Sequence, residues 1–274
     1  MKMILIVFDV LVLVAVVGVL CLVACKYQSV KKLMGGVKLM YSLANNDMEY
    51  LRSLEQYQNR LTYRAYPLGT DSIRRVVVLG NSITRHAVRE EVGWLSDYGM
   101  AASSLEADFC HVLQQELRTR YPDAVVVPKN IAAWERDFSV DKDSLMGDVI
   151  DSADVVIIRL GENIPSSSVP QMVDALRSLV GYVRERSGAR VVITGCFWLS
   201  LTKDAMLRRA AASLDLPYVS LSFADHPSNK ALSGGEATDT LGNVYHFDGA
   251  FVGSHPNDRG MKAIADALLP LFMN

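Results

Sequence analysis

The sequence predicts an α/β protein in which a five-stranded parallel sheet lies between two layers of helices. Two patterns predict it: short β-branched runs recur along the chain, and stretches of helical spacing separate them. The third observation is composition. Half of the 274 residues are hydrophobic and 21% are charged, which is ample for a buried core and too apolar for a disordered chain.

The elements follow in order. Residues 75–79 read Arg-Val-Val-Val-Leu, the continuous apolar run of a strand buried on both faces. A helical pattern covers 104–120, and a second strand runs over 124–128. The third strand is Asp-Val-Val-Ile-Ile-Arg at 154–159, followed by a helix over 169–187. A strand at 190–194, a helix over 203–214, a fifth strand at 217–221 and a closing helix over 257–272 complete the body. Strands that alternate with helices require right-handed crossovers and so a parallel sheet covered on both sides. No period of 20–50 residues repeats and no low-complexity tract interrupts the body.

Charge and cysteine usage exclude several classes. The net charge is −2, and no stretch is loaded with Lys and Arg, which argues against nucleic acid as a partner. Four cysteines without a C-x-x-C rule out a disulfide scaffold and signal neither zinc nor redox chemistry; Cys110 and Cys196 read as buried thiols. His86, His111, His226 and His246 lack metal-ligand spacing, and no cofactor is expected.

The mean hydropathy of +0.16 is high, and residues 4–24 explain much of it. They are apolar except for Asp9 and Gly18, with Lys2 before them and Lys26, Lys31 and Lys32 after them. A helix of about 20 residues crosses a bilayer core. A retained signal anchor is the first reading. Leu22-Val23-Ala24-Cys25 is similar to a lipobox and supports a lipoprotein signal as the second. An ordinary cleaved signal and a buried core helix come after these. The lysines favour a cytoplasmic body, whereas a lipobox requires export; the reading adopted is a membrane-anchored body on the periplasmic or extracellular side. Residues 1–25 are thus the anchor or signal, 26–66 a helical juxtamembrane stalk, and 67–274 the globular domain.

Parallel sheets bind ligands beyond the carboxyl ends of their strands, where the strand order switches. After the first strand stands Gly80-Asn81-Ser82-Ile83-Thr84; after the third, Gly161-Glu162-Asn163; before the last helix, Gly253-Ser254-His255-Pro256-Asn257. A hydroxyl, an amide and an imidazole on one rim are the minimum for acyl transfer: nucleophile, oxyanion donor and base.

These three blocks, in this order, resemble the SGNH (GDSL-type) hydrolase family over residues 74–274. The resemblance implies the flavodoxin-like three-layer fold and a serine esterase. Ser82 would be the nucleophile and its N–H an oxyanion donor. The Asn163 amide, in a turn opened by Gly161, would be another donor, and His255 the general base. The implied substrate is an acylated small molecule or glycan, with acetyl groups on carbohydrate as the usual case.

Four departures stand out. Asn81 occupies the place of the usual Asp, and Ile164 that of a second Asp. The stretch Asn130-Ile131-Ala132-Ala133-Trp134-Glu135 lacks the usual Gly donor, so an N–H of Ala132 or Ala133 would substitute. Val252 stands three residues before His255, where the triad acid is expected. Asp248 or Glu162 would then orient His255, or a backbone carbonyl would complete a Ser–His dyad.

Each residue also has a plainer reading. Ser82 could cap a helix, Asn163 bond a loop and His255 be a satisfied loop histidine. Glu135 reads as a solvated loop carboxylate that could touch substrate. Trp94, Tyr98, Trp134 and Trp198 could stack on a sugar or pack in the core. Ser103 or Ser104 reads as a helix cap. The functional alternatives are an SGNH-type acyltransferase, a catalytically weak glycan-binding or assembly module, and a flavodoxin-like nucleotide binder. The last is disfavoured because neither G-x-G-x-x-G nor G-x-x-x-x-G-K is present.

Overall fold

The computed structural model describes residues 72–272 apart from Ser233 and Asp248. The anchor over 1–25, the stalk over 26–66 and Asp248 therefore lie outside the described residues. No helix among the described residues is long and apolar enough to cross a membrane.

Five strands form one parallel sheet: β1 (Arg75–Gly80), β2 (Val125–Asn130), β3 (Val155–Ile158), β4 (Arg190–Thr194) and β5 (Tyr218–Val219). Their order is β2-β1-β3-β4-β5, so the direction of winding reverses between β1 and β3. The helices are α1 (Phe109–Arg118), the short α2 (Ala132–Arg136) and α3 (Lys142–Met146), α4 (Met172–Ser187), α5 (Leu201–Ser213), the one-turn α6 (Ala250–Gly253) and α7 (Asp258–Leu268).

Alternation along the strands builds the three layers. Val76 and Val78 of β1, with Val155 and Ile157 of β3, face a core closed by Phe109, Leu113 and Leu117 of α1 and Met261, Ile264 and Leu268 of α7. Val77 and Leu79, with Val156 and Ile158, face a second core closed by Leu176, Leu179 and Val183 of α4 and Leu207 and Ala210 of α5. Both faces of β1 and β3 are thus dry, which is why their runs carry no polar alternation.

Two expectations need correction, and one element was not foreseen. The helix expected from residue 104 starts at Phe109, because the side chain of Asp108, and not Ser103 or Ser104, caps it by accepting from the His111 N–H. Ser103 instead donates its hydroxyl to Asp258 at 2.6 Å. Between β5 and α6 the chain forms an unanticipated antiparallel hairpin, β6 (Gly235–Thr238) with β7 (Val244–Phe247). Cys110 and Cys196 are buried free thiols, as the sequence suggested.

Candidate active site

The chain leaves β1 in a tight turn in which the N–H groups of Thr84 and Arg85 both donate to the Asn81 carbonyl. Gly80 is required there, since a Cβ would collide with the Thr84 side chain. The turn buries Asn81 completely and leaves Ser82 half-buried at the rim. Ser82 therefore follows a strand end; it does not cap a helix.

His255 arrives from the other side of the rim. The single turn of α6 brings the Phe251 carbonyl within 2.9 Å of His255 Nδ1, and His255 Nε2 lies 2.9 Å from Ser82 Oγ. A carbonyl can only accept, so Nδ1 carries the proton and Nε2 is left as the acceptor for the Ser82 hydroxyl. Among the described residues, the orienting role assigned to an acid falls to the backbone. Glu162 does not fill it, and Val252 is fully buried in the core with Phe247. The His255 ring is itself 2% exposed, edge-on to Trp198 at 5.1 Å and tilted against Phe251 at 5.4 Å. Burial pulls its pKa down to about 4; Arg159 and His86 push the same way, against the Phe251 hydrogen bond and Glu162.

Beneath Ser82 lies a buried polar cluster. Arg159, just beyond β3, donates to the Asn81 side-chain oxygen Oδ1 at 3.1 Å and to Glu162 Oε1 at 2.6 Å. Glu162 also accepts from the Phe197 N–H at 2.9 Å and from Asn81 Nδ2 at 2.7 Å. Glu135 accepts from Asn163 Nδ2 and from the Gly161 N–H, each at 2.6 Å. Burial, and then the neighbouring Glu162, raise the Glu135 pKa, while these donors hold it down.

The structure thus brings Ser82, His255, Asn81, Gly161, Glu162 and Asn163 to the junction of β1 and β3. Two expected participants are placed elsewhere. The Ala132 N–H already donates to Asn130 Oδ1 at 2.9 Å, so of the two amides considered there it is not the free one. Trp134 is fully buried and packs on Phe138 at 4.9 Å, so it offers no face to a ligand. Trp94 and Tyr98 are core residues as well, stacked edge-on at 5.4 Å. Trp198 alone of the four aromatics stays half-buried at the rim.

Sequence reasoning misplaced Glu135 and passed over Arg159 and the Phe251 carbonyl. Glu135 is not a solvated loop carboxylate but a fully buried one. The Arg159 signal was present: a guanidinium closing an otherwise apolar buried strand needs a buried partner. A carbonyl orienter leaves no trace in side-chain identity.

No protein-family model and no curated protein matches the chain. Solved structures do. A two-domain esterase active on acetylated mannans is similar at 16% identity, over 81% of this chain and 52% of that one, with a TM-score of 0.44. A family two carbohydrate esterase from Cellvibrio japonicus is similar at 17% identity, over 72% of this chain and 59% of that one, with a TM-score of 0.44. A GDSL-like lipase from Parabacteroides merdae is similar at 13% identity, over 73% of this chain and 95% of that one, with a TM-score of 0.45. The chain spans about half the length of the two-domain esterase. The likeness is one of fold alone.

Proposed function

We propose that the chain is a serine ester hydrolase of the SGNH type that removes small acyl groups, acetyl above all, from a carbohydrate or a similar alcohol. The observation that carries this reading is the chain of contacts from the Phe251 carbonyl through His255 to Ser82 Oγ, at 2.9 Å on each side of the ring. Nε2 takes the Ser82 proton as Oγ attacks the ester carbonyl. The tetrahedral oxyanion is held by the Ser82 N–H and by the Asn163 amide hydrogen that Glu135 does not occupy. The imidazolium returns its proton to the leaving alcohol, and an acyl-enzyme remains. Water, deprotonated by the same Nε2, then releases the acid and frees Ser82. None of these steps calls on a cofactor. Trp198, half-buried against His255, is the aromatic face open to a sugar ring at this rim.

The apolar segment 4–24 belongs to the same proposal: it holds the domain at a membrane, on its outer side. The intact mass of the membrane-extracted protein tests this, since a species beginning at an acylated Cys25 marks a lipoprotein and the full-length mass a signal anchor. Activity is tested with p-nitrophenyl acetate on the detergent-solubilised chain beside Ser82→Ala and His255→Ala. Both variants are expected to lose about 1000-fold or more in kcat, and a serine-directed fluorophosphonate is expected to label Ser82 alone. Equal turnover by wild type and Ser82→Ala, with no labelling, overturns the proposal and leaves a binding module.

A further inference from the structure

The steps above use neither of the two carboxylates buried beside them, yet one of those carboxylates is bonded to Asn163, one of the two proposed oxyanion donors. Glu135 has no exposed surface. Its Oε1 accepts from the backbone N–H of Gly161 at 2.6 Å and of Asn163 at 3.3 Å. Its Oε2 accepts from the Asn163 side-chain amide at 2.6 Å. Asn81 Nδ2, one residue before the nucleophile, lies 3.3 Å and 3.2 Å from the two oxygens. One carboxyl group therefore grips the main chain and the side chain of Asn163 together and ties both to the β1 turn.

We propose that Glu135 is a positioning residue for ester hydrolysis, acting through Asn163. The inference rests on the reading of Ser82 as nucleophile and Asn163 as oxyanion donor, and it deepens that reading. A side-chain amide left to itself rotates about its terminal torsion, and a donor that must reorient as charge develops loses most of its catalytic value. Glu135 removes that freedom: with the main-chain N–H on one oxygen and one Nδ2 hydrogen on the other, the amide plane is fixed and the second Nδ2 hydrogen has a set direction. Glu135 only accepts, so it cannot contact an oxyanion itself. Nor can glutamine replace it without loss. Each of these partners of the two oxygens is a donor. In a Glu135→Gln variant the new NH2 group would face either the Gly161 and Asn163 N–H groups or the Asn163 and Asn81 amides, whichever way it turned.

The test is a double-mutant cycle on the full chain, with Glu135→Gln, Asn163→Ala and the two combined, read as kcat and KM for p-nitrophenyl acetate. Each single variant is expected to lose about 100-fold in kcat with KM within about 3-fold of wild type. The double variant is expected to be no more than about 3-fold worse than Asn163→Ala alone, because two residues that act as a unit do not add. Multiplying losses, near 10,000-fold, overturn the inference, as does a loss confined to KM. Thermal unfolding checks that each variant is folded, and if Glu135→Gln is not, Glu135→Asp replaces it; that change keeps both oxygens but draws them back by one methylene. Asn163→Ala with unchanged kcat overturns the inference by itself. Fluorophosphonate labelling separates the two levels. A wild type that labels and turns over while the cycle fails removes only the role of Glu135; a wild type that neither labels nor turns over removes the Ser82 reading and this inference with it.

Discussion

Replacing Asn81 by Asp would restore the residue that the family resemblance implies, yet on structural grounds it should destabilise the protein. Asn81 is fully buried. Its amide nitrogen donates to Glu162 Oε2 at 2.7 Å and approaches both Glu135 oxygens at 3.2 Å and 3.3 Å. Its side-chain oxygen accepts from Arg159 and from the Ile83 N–H. The Asn81→Asp variant keeps the second set and turns the first into contacts between carboxylates. Hydrogen bonds to charged groups are worth about 1.5–3 kcal/mol each, and at least the short bond to Glu162 and the shared one to Glu135 are lost. A better ion pair with Arg159 returns part of this, so the net cost at pH 7 is about 3–5 kcal/mol. Crowding raises the folded-state pKa of one of the three carboxyls. The folded variant therefore binds a proton that the unfolded chain has released, and its deficit shrinks as pH falls towards the ordinary carboxylate range, by at most about 1.4 kcal/mol per pH unit. Denaturant unfolding of wild type and variant at pH 7 and pH 5 measures this. Adding Glu162→Gln to Asn81→Asp restores the count of two carboxylates to one guanidinium and should recover part of the loss. A variant within about 1 kcal/mol of wild type at pH 7, or a deficit that ignores pH, would refute the reasoning.

Two further expectations follow from His255. Its pKa of about 4 places the acid limb of kcat/KM near pH 4, well below the usual histidine range; a midpoint near the ordinary value of about 6.5 in a pH–rate profile would show that the ring is not the buried base described. The same shift makes His255 contribute stability that is complete above its unfolded pKa and lost as pH falls towards 4. Asp204 opposes it: burial raises that carboxyl to about 6, so its contribution is complete below its unfolded pKa and lost as pH rises through 6. Between pH 4 and 6 these two contributions run in opposite directions, so Asp204→Asn should steepen the fall in melting temperature as pH drops over that range; an unchanged slope would contradict this. Finally, Val252→Asp, which installs the acid at its expected place, should cost about 3–5 kcal/mol and raise no rate, because Val252 is fully buried in an apolar core. A folded variant with higher kcat would overturn the assignment of the Phe251 carbonyl as orienter.

Much of the fold was legible because buried parallel strands announce themselves. Val76 to Leu79 and Val155 to Ile158 are apolar on both faces, and a continuous β-branched run has few other readings. The β6–β7 hairpin was not legible: Gly235–Thr238 and Val244–Phe247 are short, and only Ala237 and Phe247 are buried. The helix boundary at Asp108 was missed because Ser103 and Ser104 offer equally good local caps, and tertiary packing chose among the three. Within the site, Ser82, Asn163 and His255 stood out because each closes a motif at a strand or helix end. The alternatives left open for Ala132 and Trp134 are decided by one feature: α2 turns immediately after β2, so the Asn130 side chain takes the Ala132 N–H and Trp134 swings into the core. A one-dimensional reading could not anticipate that turn without a glycine to mark it.

The departures from the family pattern are connected. Three positions where the resemblance implies an acid, 81, 164 and 252, carry Asn, Ile and Val; two carboxylates, Glu135 and Glu162, are buried between β1 and β3 with Arg159. Among the described residues the negative charge lies beneath the turn that carries Ser82 and not hydrogen-bonded to the histidine. An acid next to His255 would fix its tautomer and stabilise the imidazolium. The Phe251 carbonyl does the first as well as an acid does, and the second only as a dipole. The low pKa comes first from burial, and among the described residues nothing with a full charge is hydrogen-bonded to the ring to offset it. In the proposed mechanism a less basic His255 removes the Ser82 proton with less driving force. In return its imidazolium is a stronger acid towards the departing alcohol, and the free ring stays neutral at pH values where an ordinary histidine is protonated. The buried negative charge does different work. It accepts from Asn81 and Asn163, and in the proposed mechanism this fixes the amide that would hold the oxyanion and shifts the catalytic burden from base strength to preorganisation. Asn81 follows from this: with two carboxylates already beneath the turn, the residue between them has to donate, and aspartate cannot.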